Sequence, residues 1–172
     1  SGLQLFNEQF FQVEHKFNRK WKGKLGVQMV TYNQSIYESN GSKKIENVKT
    51  FTPFGEVTYK INRKNSIRLE SQMLNTEQDL GSFYHGILEW NNSPKYTIAI
   101  SNMINTKPVR VVNPTLANQV LYYPGVFVKY NVKTTSFTAS YVKQVEGINC
   151  TGGICRLEPA FSGLRFTLPT QF

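Results

Sequence analysis

The feature that most constrains this chain is alternation. Apolar side chains recur at every second position with polar ones between, in runs that often pass ten residues. Successive side chains of an extended strand leave on opposite sides, so such a run makes a two-faced strand and not a helix. Between 21 and 37 the odd positions read Trp21, Gly23, Leu25, Val27, Met29, Thr31, Asn33, Ser35 and Tyr37, and the even ones begin Lys22, Lys24, Gly26, Gln28. Between 50 and 61, Phe51, Val57, Tyr59 and Ile61 oppose Thr52, Glu56, Thr58 and Lys60, with Phe54 on the polar side. Seven further segments repeat the pattern with less contrast, at 5–17, 67–73, 84–90, 96–101, 120–130, 137–144 and 162–172. About nine strands are expected. Strands of globular proteins average five or six residues. Tilted strands that cross a bilayer need roughly nine to eleven.

The connections fall into two alternating classes. Four are short, and each follows a bulky residue: Asn18-Arg19-Lys20 after Phe17, Asn62-Arg63-Lys64-Asn65 after Ile61, Asn91-Asn92-Ser93-Pro94 after Trp90, and Asn131-Val132-Lys133-Thr134 after Tyr130. This bulky-residue-then-Asn unit is a weak internal repeat. The intervening connections, 38–48, 105–118 and 147–156, are longer, with a shorter one near Asp79-Leu80-Gly81-Ser82. Short turns at one end and longer loops at the other describe a transmembrane barrel, with the short end periplasmic. Phe17, Trp21, Tyr59, Trp90, Tyr96, Tyr130 and Phe137, at strand ends, suit an interfacial aromatic girdle.

The expectation is an all-β, antiparallel up-and-down transmembrane barrel, with 1–172 as one barrel segment and no interdomain linker. Leu25, Val27, Met29, Val57, Leu69, Leu88, Ile98, Val126 and Leu164 would face lipid. Lys22, Lys24, Glu56, Lys60, Arg68, Glu70 and Arg165 would line the interior, where charges of both signs pair. The alternative is a soluble β-sandwich or lipocalin-like binding domain, whose apolar stripes would form an internal core. Mean hydropathy, −0.38, separates the two poorly, since barrels carry polar interiors and loops.

A net charge of +9 raises the question of nucleic acid or acidic lipid. The Lys and Arg are spread along the chain without a basic block, so no nucleic-acid partner is expected. No stretch approaches the ~20 apolar residues of a membrane helix. Residues 1–10 lack the charged start and apolar run of a signal peptide, which suggests a chain that begins after processing or is a fragment.

The segment 162–172 alternates and stops on an aromatic residue, with Phe166, Leu168 and Phe172 on one face. Outer-membrane barrels typically end so, because the assembly machinery engages an aromatic-ended last strand; these three residues are the candidate barrel-assembly signal. Pro169, on the opposite face, removes a ladder donor and predicts a bulge or local edge. The segments Val13-Glu14-His15-Lys16-Phe17-Asn18-Arg19-Lys20-Trp21, Val57-Thr58-Tyr59-Lys60-Ile61-Asn62-Arg63-Lys64-Asn65-Ser66-Ile67-Arg68 and Cys150-Thr151-Gly152-Gly153-Ile154-Cys155-Arg156, followed by Pro159-Ala160, carry a family resemblance. Together they resemble the C-terminal region of a large outer-membrane barrel family of Bacteroidota with no assigned activity. The resemblance covers most of the chain. It implies a barrel of the Gram-negative outer membrane and a surface-exposed Cys loop, and its members are considerably longer than 172 residues.

Cys150 and Cys155 enclose four residues, Gly152-Gly153 among them, and glycine reaches positive φ without strain. Oxidation is expected in an envelope compartment. A redox Cys-x-x-Cys needs two intervening residues and a zinc site needs more ligands. A structural disulfide pinning an extracellular loop is expected, worth roughly 2 kcal/mol for so small a ring.

No nucleophile motif, metal spacing or phosphate loop is present. His15 and His85 fall on different strands, and the acidic residues show no obvious pair. No enzymatic activity and no cofactor are expected. The role would be a channel, receptor or assembly scaffold, with lipid, and possible outer-membrane complex subunits, as partners. Counting back from 172, nine strands put the start of the first one outside, whereas single-chain bacterial barrels have an even strand number with both termini periplasmic. Either the count is off by one or at least one strand precedes residue 1, and the missing signal peptide and the longer resembling family favour a preceding strand, from the same gene or a companion chain.

Overall fold

The computed structural model describes residues 5–33, 35, 47–78, 80–108, 119–144, 147–151, 154–158 and 160–169; for 107, 147–151 and 154–158 it describes the backbone. The strands are β1 (Phe6–Lys16), β2 (Trp21–Tyr32), β3 (Val48–Lys60), β4 (Asn65–Leu74), β5 (Ser82–Asn92), β6 (Tyr96–Lys107), β7 (Leu121–Val132), β8 (Thr135–Gln144), β9 (Gly147–Thr151), β10 (Ile154–Glu158) and β11 (Phe161–Thr167). Nine of them form one antiparallel sheet in the order β1-β2-β3-β4-β5-β6-β7-β8-β11, so the chain is all-β and up-and-down. β9 and β10 pair separately. Among the described residues no helix is long and apolar enough to cross a membrane, a test that does not concern strands.

Register converts the alternation of single strands into two continuous faces. Val57 stands opposite Leu69, Leu69 opposite Leu88, Leu88 opposite Ile100, Ile100 opposite Val126, Val126 opposite Tyr141, and Tyr141 opposite Leu164. This apolar face is largely open: Leu25 is 70% exposed and Leu164 66%. Val48 is the buried apolar side chain among the described residues. No second layer of described structure covers either face.

The short connections, 17–20, 61–64, 93–95 and 133–134, all lie at one end of the sheet, and the strand ends at Tyr32 and Val48, Leu74 and Ser82, Lys107 and Leu121, and Gln144 and Phe161 all lie at the other. The Asn residues of the short turns have a local reason for their place. Asn18 Oδ1 accepts the backbone N–H groups of Lys20 (2.8 Å) and Trp21 (2.9 Å), and Asn62 Oδ1 those of Lys64 and Asn65 (both 2.9 Å). An Asn side chain that bonds to backbone two and three residues on is a turn-forming device.

Several boundaries differ from the sequence reading. The second strand ends at Tyr32 and not at position 37. Tyr32 is the last residue with partners on both sides, Phe6 and Val48, so pairing and not alternation sets its length; Tyr37 lies outside the described residues. Asn91, Asn92, Asn131 and Val132 are strand residues, and the turns shrink to 93–95 and 133–134. These Asn side chains tie neighbouring strands: Thr97 Oγ1 donates to Asn91 Oδ1 (2.7 Å), Asn92 Nδ2 to Asn65 Oδ1 (2.8 Å), and Ser136 Oγ to Asn131 Oδ1 (2.8 Å). The region 147–156, read as loop, holds most of the β9–β10 hairpin; its five-residue strands are too short to show a period. The last strand stops at Thr167, two residues before Pro169, whose carbonyl accepts the Ser136 N–H (3.2 Å).

β1 and β11 are the two edges, and no pairing joins them among the described residues. With nine antiparallel strands in order, these edges run in the same direction.

Candidate functional site

The polar face is the concave one. A single concavity of about 600 Å³ is lined both by Arg68 and Glu89 on β4 and β5 and by Arg165 and Thr167 on β11. In a flat sheet β4 and β11 would lie roughly 24 Å apart at ~4.8 Å per strand. The sheet therefore curls toward its polar side.

The centre of this face is Arg68. Its guanidinium donates to three carboxylates from three strands: Glu56 on β3 (3.3 Å), Glu70 on its own strand, and Glu89 on β5 (2.8 Å). Lys24 on β2 joins through Glu56 (3.3 Å). The outer oxygens are also used: Gln72 Nε2 donates to Glu70 (2.7 Å) and Asn91 Nδ2 to Glu89. The side chains of Lys24, Glu56, Arg68, Glu70 and Glu89 are 16–26% exposed. A planar guanidinium with five N–H donors is suited to several carboxylates at once, where a lysine would act as a point charge. The Lys22–Glu14 pair (2.9 Å) is nearly half exposed, and such pairs contribute at most about 1 kcal/mol.

Beside this network the face is shaped by aromatic rings. Phe10 and Phe54 stack with centroids 5.6 Å apart. The Phe54 ring lies across Gly26, where an added Cβ would come within 2.4 Å of Phe54 Cζ and 2.7 Å of the Phe11 carbonyl oxygen. On the far wall the Arg165 guanidinium lies over the Phe161 ring, 5.8 Å from its centroid, within cation–π range.

Lys22, Lys24, Glu56, Lys60, Arg68, Glu70 and Arg165 all fall on this face. The structure brings Lys24, Glu56, Arg68 and Glu70 together and adds Glu89, which alternation puts on the polar side but does not single out. Lys22 turns to Glu14, Lys60 stands at the short-turn end, and Arg165 lies across the concavity. Among the described residues no group of three His, Cys, Asp or Glu side chains could hold a metal ion. Arg68 and its three carboxylates satisfy one another and leave no activated nucleophile or free base. The network can brace strands and set a field along the concave wall.

On the other face, Phe166 and Leu168 are 73% and 60% exposed; Phe172 lies outside the described residues. Trp21 and Tyr59 meet at 4.5 Å, Tyr96 and Tyr130 stack at 4.9 Å, and Tyr130 continues to Phe137 at 6.5 Å, all near the short-turn end. The Cys150 and Cys155 side chains are outside the description, but the β9–β10 register sets the two backbone positions opposite each other.

Over residues 1–172 the sequence matches a family model described as a family of unknown function (DUF6029). No curated protein and no solved structure matches.

Proposed function

We propose that this chain, which belongs to the family of unknown function DUF6029, is a segment of an integral outer-membrane β-barrel of a Gram-negative cell envelope, acting as a channel, receptor or assembly scaffold. One observation carries the reading: a single sheet with an uncovered apolar face and an opposite, concave face that holds the Arg68 ion-pair network. An exposed apolar surface of this extent calls for an apolar partner. Lipid supplies one along the whole face. The strands β1–β8 are 10–13 residues long, as tilted membrane strands require. Phe51 and Tyr59 on β3, and Tyr122 and Tyr130 on β7, bracket the apolar band. Each pair spans about 26 Å along its strand, or about 20 Å in height at a tilt of ~40°, close to the ~25 Å band of known barrels.

Unpaired strand edges are costly in hydrocarbon, where water cannot satisfy them. Because β1 and β11 run in the same direction, an all-antiparallel closure needs an odd number of additional strands between them. These would come from the same gene or a companion chain. The test is fractionation of the native protein. The reading expects recovery with envelope membranes, extraction only by detergent, and retarded unfolding in gels typical of barrels. A monodisperse protein in buffer without detergent would overturn it in favour of a soluble domain.

The Cys150–Cys155 disulfide belongs to the same proposal. Directly opposed antiparallel residues have Cα atoms about 4.5–5.5 Å apart, inside the ~4.4–6.8 Å window for a disulfide. Mass spectrometry of unreduced protein should find the two cysteines linked; two freely alkylated thiols in fresh envelopes would refute the bond.

A further inference from the structure

Two of the short turns repeat one tripeptide, Asn18-Arg19-Lys20 and Asn62-Arg63-Lys64, with the same side-chain-to-backbone bonds in each. Because β2 pairs with β3, the twin turns stand side by side. The Lys60 N–H donates to the Lys20 carbonyl (2.8 Å), and the Ser93 N–H donates to the Lys64 carbonyl (2.8 Å), tying each turn to the next hairpin. Between them is a concavity of about 480 Å³ whose lining includes Arg19, Lys20, Lys60, Ile61, Arg63 and Lys64, with no carboxylate.

Three cations elsewhere in the sheet sit beside anions, Arg68 among three glutamates, Lys24 with Glu56 and Lys22 with Glu14, and two others, Lys143 and Arg165, lie over the rings of Tyr123 and Phe161. Five cations around one hollow repel one another, and an anion there would relieve the repulsion. Both turns hold their backbones in place through Asn18 and Asn62, so the guanidinium and ammonium groups are displayed from a fixed frame. The hollow meets the apolar face at one residue of its lining, Ile61. Ile61 lines it and is 43% exposed, and the Trp21–Tyr59 pair sits just inside the same end.

We infer that the twin Asn-Arg-Lys turns form a binding site for the phosphate headgroup of an anionic phospholipid in the leaflet at the short-turn end. The phosphate would sit among Arg19, Lys20, Arg63 and Lys64, with its acyl chains along Ile61, Trp21 and Tyr59. Arginine and lysine bind phosphate well, and basic pockets at a membrane surface select anionic headgroups. The ammonium of a zwitterionic lipid would be repelled by the same cations. Free phosphate shares the headgroup chemistry but makes no use of the adjoining apolar wall. The inference rests on the reading that the apolar face meets lipid.

The test uses the full-length protein in phosphatidylcholine nanodiscs with and without phosphatidylglycerol, with native mass spectrometry counting the lipids retained. Enrichment of phosphatidylglycerol on the order of tenfold is expected. It should be lost in Arg19→Gln/Lys20→Gln/Arg63→Gln/Lys64→Gln, kept in Arg19→Lys/Arg63→Lys, and unchanged in Lys49→Gln at the opposite end. If the quadruple variant does not fold, Lys20→Gln/Lys64→Gln serves with a partial loss expected. Incorporation into both bilayers with no enrichment would overturn the site and leave the barrel reading standing. Failure to enter either bilayer would overturn both. Abolition of the enrichment by millimolar inorganic phosphate would mark a site for free phosphate and overturn the lipid assignment.

Discussion

On β2, Leu25 and Val27 stand next in sequence to Lys24 and Gln28, yet the two pairs occupy different surroundings. Leu25 is 70% exposed on a face with no covering layer, while Lys24 reaches Glu56 in a concave network whose members are 16–26% exposed. In a soluble sheet the better-covered face is the apolar one, because burial of apolar surface is the main favourable term in folding. Here the coverage is inverted. The polar face satisfies itself with hydrogen bonds and ion pairs, and the apolar face is left to whatever surrounds the protein. The proposed barrel accounts for this inversion, since it would have apolar solvent outside and water within.

The sharpest way to break this comparison is to exchange the rules of adjacent residues. Val27→Arg puts a charge on the apolar face and should cost about 2–4 kcal/mol of stability in lipid if the site lies near the midplane. Gln28→Arg, on the concave face next to Glu8, should be nearly neutral. Urea unfolding of both variants in lipid vesicles measures the difference, and equal tolerance would end the two-face assignment.

A second test compares glycines on opposite faces. At Gly26 an added Cβ meets the Phe11 carbonyl oxygen, which cannot move without its strand, and the Phe54 ring; Gly26→Ala should cost about 1–3 kcal/mol through overpacking. At Gly55, on the outer face, the nearest atom is Leu25 Cδ2 at 3.1 Å, the end of a flexible side chain with open space beyond. Gly55→Ala should fall within about 0.5 kcal/mol of wild type, the range of ordinary surface changes. A similar loss at both positions would show the outer face to be packed against something as tightly as the inner.

The third test is confined to the concave face. Arg68→Met leaves Glu56, Glu70 and Glu89 facing one another without their common partner. Partial exposure screens this, so the expected loss is about 1–2 kcal/mol, less than for a fully buried pair. Adding Glu56→Gln and Glu89→Gln should recover much of it. Additive losses in that triple variant would mean that the four residues do not act as a unit.

Much of this was legible from the sequence, and the part that was not has one cause. The direction of a side chain from an extended backbone is a local property with a period of two. Alternation therefore gave about nine strands, as in the main sheet but without the β9–β10 hairpin, and the division of Leu25, Val57, Leu88 and Leu164 from Lys24, Glu56, Arg68 and Arg165, while the Asn-rich segments gave the short turns. Which residues meet across strands is not local. It depends on register, which the turns and the full set of pairings impose, and a slip of one residue would send every side chain to the other face. Only the assembled sheet put Glu56, Glu70 and Glu89 around one arginine, set the two Asn-Arg-Lys turns side by side, ended β2 at Tyr32 where partners on both sides run out, and curled the polar side inward so that Arg68 and Arg165 share one concavity.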